Sequence, residues 1–227
     1  MAQHTKRIAS PRSWPIKRKT TEWVSSPKGG HSRDMSVSVN VALKEILKIT
    51  KTTKESRYVI FEKGLNVNGN KMRSERSPFG LFDVLTLPET KESYIMLFNN
   101  RGKLVTKKLS EKESEVKLSK VIGKKTLGKG KTQLNLMGGM NIIVSKDDYK
   151  AGDTVVVSLK DKKPKETLKL EKGALVYLLT GKDISKTAKV KEVESSNLVY
   201  ESEGEEFKIT KEDVVVVGKD KPYITLE

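Results

Sequence analysis

The chain has 227 residues and no cysteine. That excludes a disulfide, a thiolate nucleophile and any cysteine-based zinc site, and it is consistent with a cytoplasmic protein. There are two histidines, His4 and His31, both near the N-terminus. A metal site assembled from them is not expected, and neither is any other cofactor. Aromatic residues make up 6% of the chain and hydrophobic residues 35%, too little for one large core. Several small modules, each with a modest core, are expected instead. Apolar runs are short. Leu175–Leu179 and Val214–Val217 are strand-sized, far below the ~20 residues that cross a bilayer as a helix. The first residues lack the apolar stretch of a secretory signal, and no membrane partner is expected. Acids are the minority: 29 against 45 lysines and arginines, for a net charge of +16. Such an excess calls for a polyanionic partner.

The excess is unevenly spread. Residues 1–33 hold eight cations (Lys6, Arg7, Arg12, Lys17, Arg18, Lys19, Lys28, Arg33) against one acid, Glu22. Residues 34–104 and 105–170 are also net basic, whereas 171–227 has more acids than bases. In the first segment Pro11, Pro15, Pro27 and the pair Gly29-Gly30 rule out a long helix or a central strand. By itself it cannot bury enough apolar surface to offset its ordering entropy, so residues 1–38 are expected to form a disordered basic arm. Both tryptophans of the chain, Trp14 and Trp23, lie in it, with His31. Cations can meet phosphates and indoles can stack on bases, so the arm is expected to order on RNA. A solubilising tail is the plainer alternative.

Helical spacing begins at Asn40, a fair N-cap for a run to Ile49 through Val41, Leu43, Ile46 and Leu47. A second helix is predicted over 53–63, with Val59, Ile60 and Phe61 on its apolar side and Gly64 at its C′ position. Asn68-Gly69 between short alternating runs predicts a tight hairpin. Lys54, Arg57, Lys63, Lys71 and Arg73 fall on this helix and hairpin, as an RNA-facing surface or as an ordinary solvated face. Residues 85–170 read as β-rich. Between the strands, Lys120–Lys131 reads as a Gly/Lys loop, with Lys120, Lys124, Lys125, Lys129 and Lys131 able to approach phosphates. After Lys172, four or five short strands predict a small barrel.

The helix, Gly64 and Val67-Asn68-Gly69 together resemble the S4-type RNA-binding fold. Thr53-Lys54 stands where that family usually has Ser-Arg, so the charge is kept and the guanidinium fork is not. Further motifs narrow the resemblance. Arg7-Ile8-Ala9-Ser10-Pro11, Ser13-Trp14-Pro15-Ile16-Lys17-Arg18-Lys19, Trp23, Ser26-Pro27 and Gly30-His31-Ser32 resemble the N-terminal signature of the S4e family. Gly80-Leu81-Phe82-Asp83-Val84, Gln133-Leu134-Asn135-Leu136 with Gly139-Met140-Asn141, and Gly218-Lys219 with Lys221-Pro222-Tyr223-Ile224 resemble its later motifs. The S4e family consists of small-subunit ribosomal proteins of archaea and eukaryotes. Gly173, Val176, Gly181-Lys182-Asp183-Ile184 and Val190 resemble a KOW motif, whose loop would present Gly181 and Lys182. Ser185 and Ala188 replace its later glycines.

Gly130-Lys131-Thr132 has the ending of a nucleotide-binding P-loop, but Lys125 stands where the first glycine belongs and no βαβ pattern surrounds it, so ATP or GTP binding is rejected. No acid–base constellation is legible, and Asp83 reads as a turn or cap residue. Nothing points to a small-molecule substrate.

The sequence therefore predicts a multi-module α+β chain. Its parts are a basic arm (1–38), an S4-type helix–helix–hairpin unit (39–104), a central β-rich domain (105–170) and a KOW/SH3-like barrel with a C-terminal strand (171–227). The expected function is that of a cytoplasmic, ribosome-bound structural protein, with small-subunit rRNA and neighbouring ribosomal proteins as partners. A KOW-containing transcription or chromatin factor, and an RNA-modifying enzyme carrying an S4-type targeting module, are the alternatives.

Overall fold

The computed structural model describes residues 5–128, 130–145, 148–202 and 204–226. The chain is mixed α+β and carries several separate β-sheets, arranged in two compact units, Met1–Glu115 and Val116–Glu227.

The first unit begins with the arm, and the disorder expected of it is not what the described residues show. β1 (Thr5–Lys6) pairs antiparallel with β2 (Trp23–Val24). Trp14 is 1% exposed and its indole Nε1 donates to the Arg33 carbonyl at 2.9 Å. The Lys28 amide donates to the Arg76 carbonyl (2.9 Å), and the Leu104 amide donates to the Ser13 carbonyl (2.8 Å). The physical reason is that the arm borrows a core. Composition shows that it cannot build one of its own, but the rest of this unit takes up its backbone hydrogen bonds and its indole is closed off from solvent.

β3 (Ser36–Ser38), inside the predicted arm, pairs with β6 (Pro78–Gly80). The first helix starts two residues earlier than predicted. Its N-cap is Ser38, whose hydroxyl accepts from the Val41 amide (3.3 Å). α1 (Val39–Val41) runs into a π-helical turn, Ala42–Ile46, closed by the Leu47 amide on the Ala42 carbonyl. α2 (Thr53–Phe61) is capped by Thr52, which accepts from the Glu55 amide. Glu55 reaches back to the Lys51 amide (2.8 Å), and that bond holds its carboxyl below the usual carboxylate range. Only Ile60 of the predicted apolar side is fully buried; Phe61 is exposed.

β4 (Asn66–Val67) and β5 (Asn70–Lys71) form the predicted hairpin. Asn68 and Gly69 both have positive φ, 51° and 71°, as this two-residue turn requires. β7 (Val84–Leu87), β8 (Glu92–Phe98) and β9 (Leu104–Leu109) complete a sheet of order β5-β4-β7-β8-β9. The 104/105 boundary drawn from sequence falls inside this sheet, because β9 stays with its hairpin partner β8.

In the second unit, β10 (Val116–Gly128) is thirteen residues long and runs through most of the stretch read as a loop. Its first part pairs with β13 (Thr154–Ser158), and its second part pairs with β11 (Lys131–Leu136). Lysine and glycine are poor strand formers, but a strand paired along its length is held by its ladders rather than by propensity. β12 (Asn141–Val144) and β14 (Pro164–Leu168) complete the order β12-β11-β10-β13-β14. Val121, Leu134, Leu136, Ile142, Val144, Val155 and Val157 form its core.

β15 (Leu175–Leu178), β16 (Thr187–Val193), β17 (Asn197–Ser202), β18 (Glu205–Thr210) and β19 (Val214–Gly218) form an antiparallel sheet of order β18-β17-β16-β15-β19. A 3-10 turn, Lys211–Asp213, joins β18 to β19. Among the described residues these two strands share no ladder, so the sheet is open at its edges. Inside this unit the two sheets are tied together: the Val216 amide donates to the buried Thr154 hydroxyl (3.1 Å).

Candidate nucleic-acid interface

The predicted binding residues divide into those that face outward and those that hold the fold. In the arm, Lys6, Arg12, Lys17, Lys19, Lys28 and Arg33 are exposed. Trp23 is 50% exposed. Arg7 is buried, and the structure corrects its reading as a phosphate contact. Its guanidinium donates to Glu45 Oε1 (2.6 Å) and to the Lys17 carbonyl. Arg18 donates to the Ile8 and Pro11 carbonyls (3.2 and 2.9 Å). An arm with little regular structure needs such donors to satisfy its turn carbonyls, and arginine offers five in a planar fork. Trp14 is likewise an internal anchor, not a base-stacking platform.

His31 is also withdrawn from the interface. Its Nε2 donates to Asp83 Oδ2 at 2.9 Å, and both side chains are buried. Asp83 further accepts from the Gly80 amide (2.7 Å) and the Asn68 side-chain amide (2.8 Å). It is the polar hub between arm, hairpin and β6, in keeping with its reading as a turn residue.

On α2 and its hairpin, Lys54, Arg57, Lys71 and Arg73 are exposed, and Lys63 is half-buried. Arg57 makes a two-pronged contact with Glu75 (2.5 and 3.1 Å), and Lys63 pairs with Glu89 (2.6 Å). The Glu75 partner raises the Arg57 guanidinium pKa, while Arg57 holds the Glu75 carboxyl below its usual range. Both pairs are solvent-facing, so they are weak and exchangeable for phosphate contacts. Sequence reasoning missed Tyr58, which is exposed beside Phe61, one turn away on the same helix. The Lys63 ammonium lies 5.6 Å from the Tyr58 ring centroid. The signal was present in the sequence: two aromatics at i, i+3 among cations.

In the second unit, Lys124, Lys125 and Lys131 are exposed on the β10–β11 hairpin. Lys129 lies outside the described residues. Lys120 is 7% exposed, and its ammonium donates to the carbonyls of Lys211 (2.5 Å), Glu212 (2.8 Å) and Val214 (2.8 Å). Burial pushes its pKa down to about 8, opposed by Asp213 and Glu212. It ties β10 to the start of β19 and is not a phosphate ligand. In the KOW-like loop, Gly181 has φ 89° and Lys182 is exposed. Asp183 is buried, paired with Lys186 (2.9 Å) and accepting from the Tyr200 hydroxyl (3.3 Å). Among the described residues no group of three or more His, Asp and Glu side chains could hold a metal ion.

The chain is 35% identical over 231 residues to the small ribosomal subunit protein eS4 of Methanosphaera stadtmanae, covering 99% of this chain and 95% of that one. The chain belongs to the ribosomal S4e family. The model of ribosomal family S4e matches residues 90–164. The eS4 protein of Methanococcus vannielii is 34% identical over 239 residues, covering 99% of this chain and 97% of its own. The crystal structure of the 30S ribosomal protein S4e from Thermoplasma acidophilum matches with a TM-score of 0.71 and 25% identity, over 82% of this chain and 96% of that one. As a member of a family of ribosomal proteins, this S4e chain is not an enzyme. Its exposed cations are therefore read as binding groups rather than as catalytic ones.

Proposed function

We propose that this S4e chain is a structural constituent of the cytoplasmic small ribosomal subunit that binds rRNA. The observation that carries the reading is the division of its cations. Arg7, Arg18 and Lys120 are bound to groups of the protein itself. Lys6, Arg12, Lys17, Lys19, Lys28, Lys54, Lys71, Arg73, Lys125 and Lys131 face solvent. Cations that the fold does not use are available to neutralise phosphates with release of counterions. The arm presents half of this charge already folded, so binding need not meet the full entropy of ordering it. Trp23, Tyr58 and Phe61 offer apolar surface beside those cations, suited to stacking on bases or riboses. The C-terminal sheet, which we read as an SH3-like KOW module, lies in the acidic part of the chain and faces neighbouring ribosomal proteins or solvent.

Sedimentation of cell lysate in magnesium, followed by a high-salt wash, tests this. Co-migration with small subunits that survives the wash is expected. Migration that salt abolishes would make the chain a peripheral or assembly factor, and absence from ribosomal fractions would overturn the reading.

A further inference from the structure

Between Val116 and Ser145 the sequence carries six lysines and no acid. This stretch folds into β10, β11 and β12, whose inner face supplies the core. The outer face is unusual. Strand alternation turns Gln133 and Asn135 of β11, and Asn141 and Ile143 of β12, away from the core. The ladders align them in two rows across three strands: Lys125, Gln133 and Ile143 in one, and Gly123, Asn135 and Asn141 in the other. Gln133 Nε2 donates to Asn135 Oδ1 at 2.8 Å, which fixes the orientation of both amides.

Two features of this face lack a reason within the fold. Ile143 is 61% exposed on the edge strand of an otherwise polar row. Gly123 has no steric need to be glycine: a Cβ there would meet nothing within 4 Å, and its φ is not left-handed. A strand glycine without a packing role marks a bulge or a place where a ligand comes close. The register does shift between Val121 and Gly123, but a bulge in this conformation accepts a side chain.

We propose that the outer face of β10–β12 is a second RNA-contact surface, one that takes unpaired bases. Side-chain amides carry both a donor and an acceptor, the complement of a base edge. Gln133, Asn135 and Asn141 bond base edges, Ile143 packs on a base face, and Lys125 meets a flanking phosphate. Gly123 leaves the room for a base at the end of its row. The acid-free, lysine-bearing stretch favours RNA over a protein partner, since these three strands offer no carboxylate to a basic neighbour. The inference rests on the rRNA-binding reading above and names the contact that this face makes.

The test uses the full-length chain and a small-subunit rRNA transcript, with dimethyl sulfate reporting the exposure of unpaired bases. Asn135→Ala/Asn141→Ala and Gly123→Val are compared with wild type after thermal melts show that they fold. The wild type is expected to protect a discrete set of unpaired bases. Each variant should lose that protection and bind about tenfold more weakly, with an unchanged salt slope. If folded variants keep every wild-type protection and the wild-type affinity, this face does not read bases, while rRNA binding by the rest of the chain stands. If the wild type itself fails to bind rRNA, both readings fall. A photo-crosslinker at position 143 in assembled small subunits gives an independent answer. Linkage to RNA supports the proposal, and linkage to protein alone overturns it.

Discussion

The imidazole of His31 lies so close over Gly80 that a Cβ on that glycine would sit 2.5 Å from the ring, while its Nε2 donates to Asp83 at 2.9 Å. One residue of the arm is thereby fixed by shape and by charge in the Gly80–Asp83 turn. Gly80→Ala should destabilise the protein by about 2 kcal/mol, because a buried aromatic ring cannot yield cheaply. The same substitution in a His31→Ala background should cost much less. A double-mutant cycle by denaturant unfolding measures the coupling, and additive effects would show that the ring does not fill this space.

Asp83→Ala removes the acceptor of three donors at once: His31, Asn68 and the Gly80 amide. Buried donors left without partners cost about 1–3 kcal/mol each, so a total loss of about 3–5 kcal/mol in denaturant unfolding is expected. Asp83→Asn, which keeps the shape and one acceptor, should recover part of it.

Lys120 gives a pH prediction. Its folded pKa is about 8, below the ordinary 10.5. Below pH 8 both folded and unfolded chains carry the proton. Between pH 8 and 10.5 the unfolded chain keeps a proton that the folded chain has released. Stability therefore rises with pH across that window, by up to about 3 kcal/mol for this group. Lys120→Met removes the rise. It also leaves the Lys211, Glu212 and Val214 carbonyls without their donor, and should cost about 2 kcal/mol at pH 7. Melts of both proteins from pH 7 to 10.5 read the two effects.

Ser185 has φ 72°, in the region that favours glycine, where the KOW pattern has one. Ser185→Gly should raise stability by about 1 kcal/mol with an unchanged denaturant m-value. Ala188 also replaces a glycine of the pattern, but it is a buried strand residue opposite Val176, so Ala188→Gly should destabilise.

These residues show where the sequence was legible. Asn68-Gly69 and the helix predicted over 53–63 could be read because local chemistry decides them: a turn that needs two positive φ values, and a helical run followed by Gly64, whose φ is 71°. The strand Val116–Gly128 could not: its first part is held by a ladder to residues 154–158, far along the chain, and its second part by a hairpin with 131–136 whose lysines and glycines argue locally for a loop. The arm was misread for the same reason. Its composition says what it cannot do alone, and His31 is held by Asp83, far along the sequence. The site was legible as charge but not as geometry. No sequence pattern tells Arg7, which bonds Glu45, from Arg12, which faces solvent.

That distinction yields the last prediction. If the arm is docked by internal pairs and binds by outward cations, the two functions should separate. Glu45→Gln leaves the Arg7 guanidinium buried without its anionic partner, which weakens docking of the arm by about 3 kcal/mol. Trypsin should then cleave at Lys17, Arg18 or Lys19 faster than in wild type, with the remainder of the unit intact. Lys17→Ala/Lys19→Ala removes two exposed cations and leaves the internal pairs of the arm in place. Its resistance to proteases other than trypsin should match wild type. Its affinity for rRNA should fall, and the slope of log affinity against log salt should flatten by about 0.7–0.9 for each phosphate left without its lysine. An unchanged slope would mean that these lysines do not meet phosphate, and a loosened arm would mean that they also hold the fold.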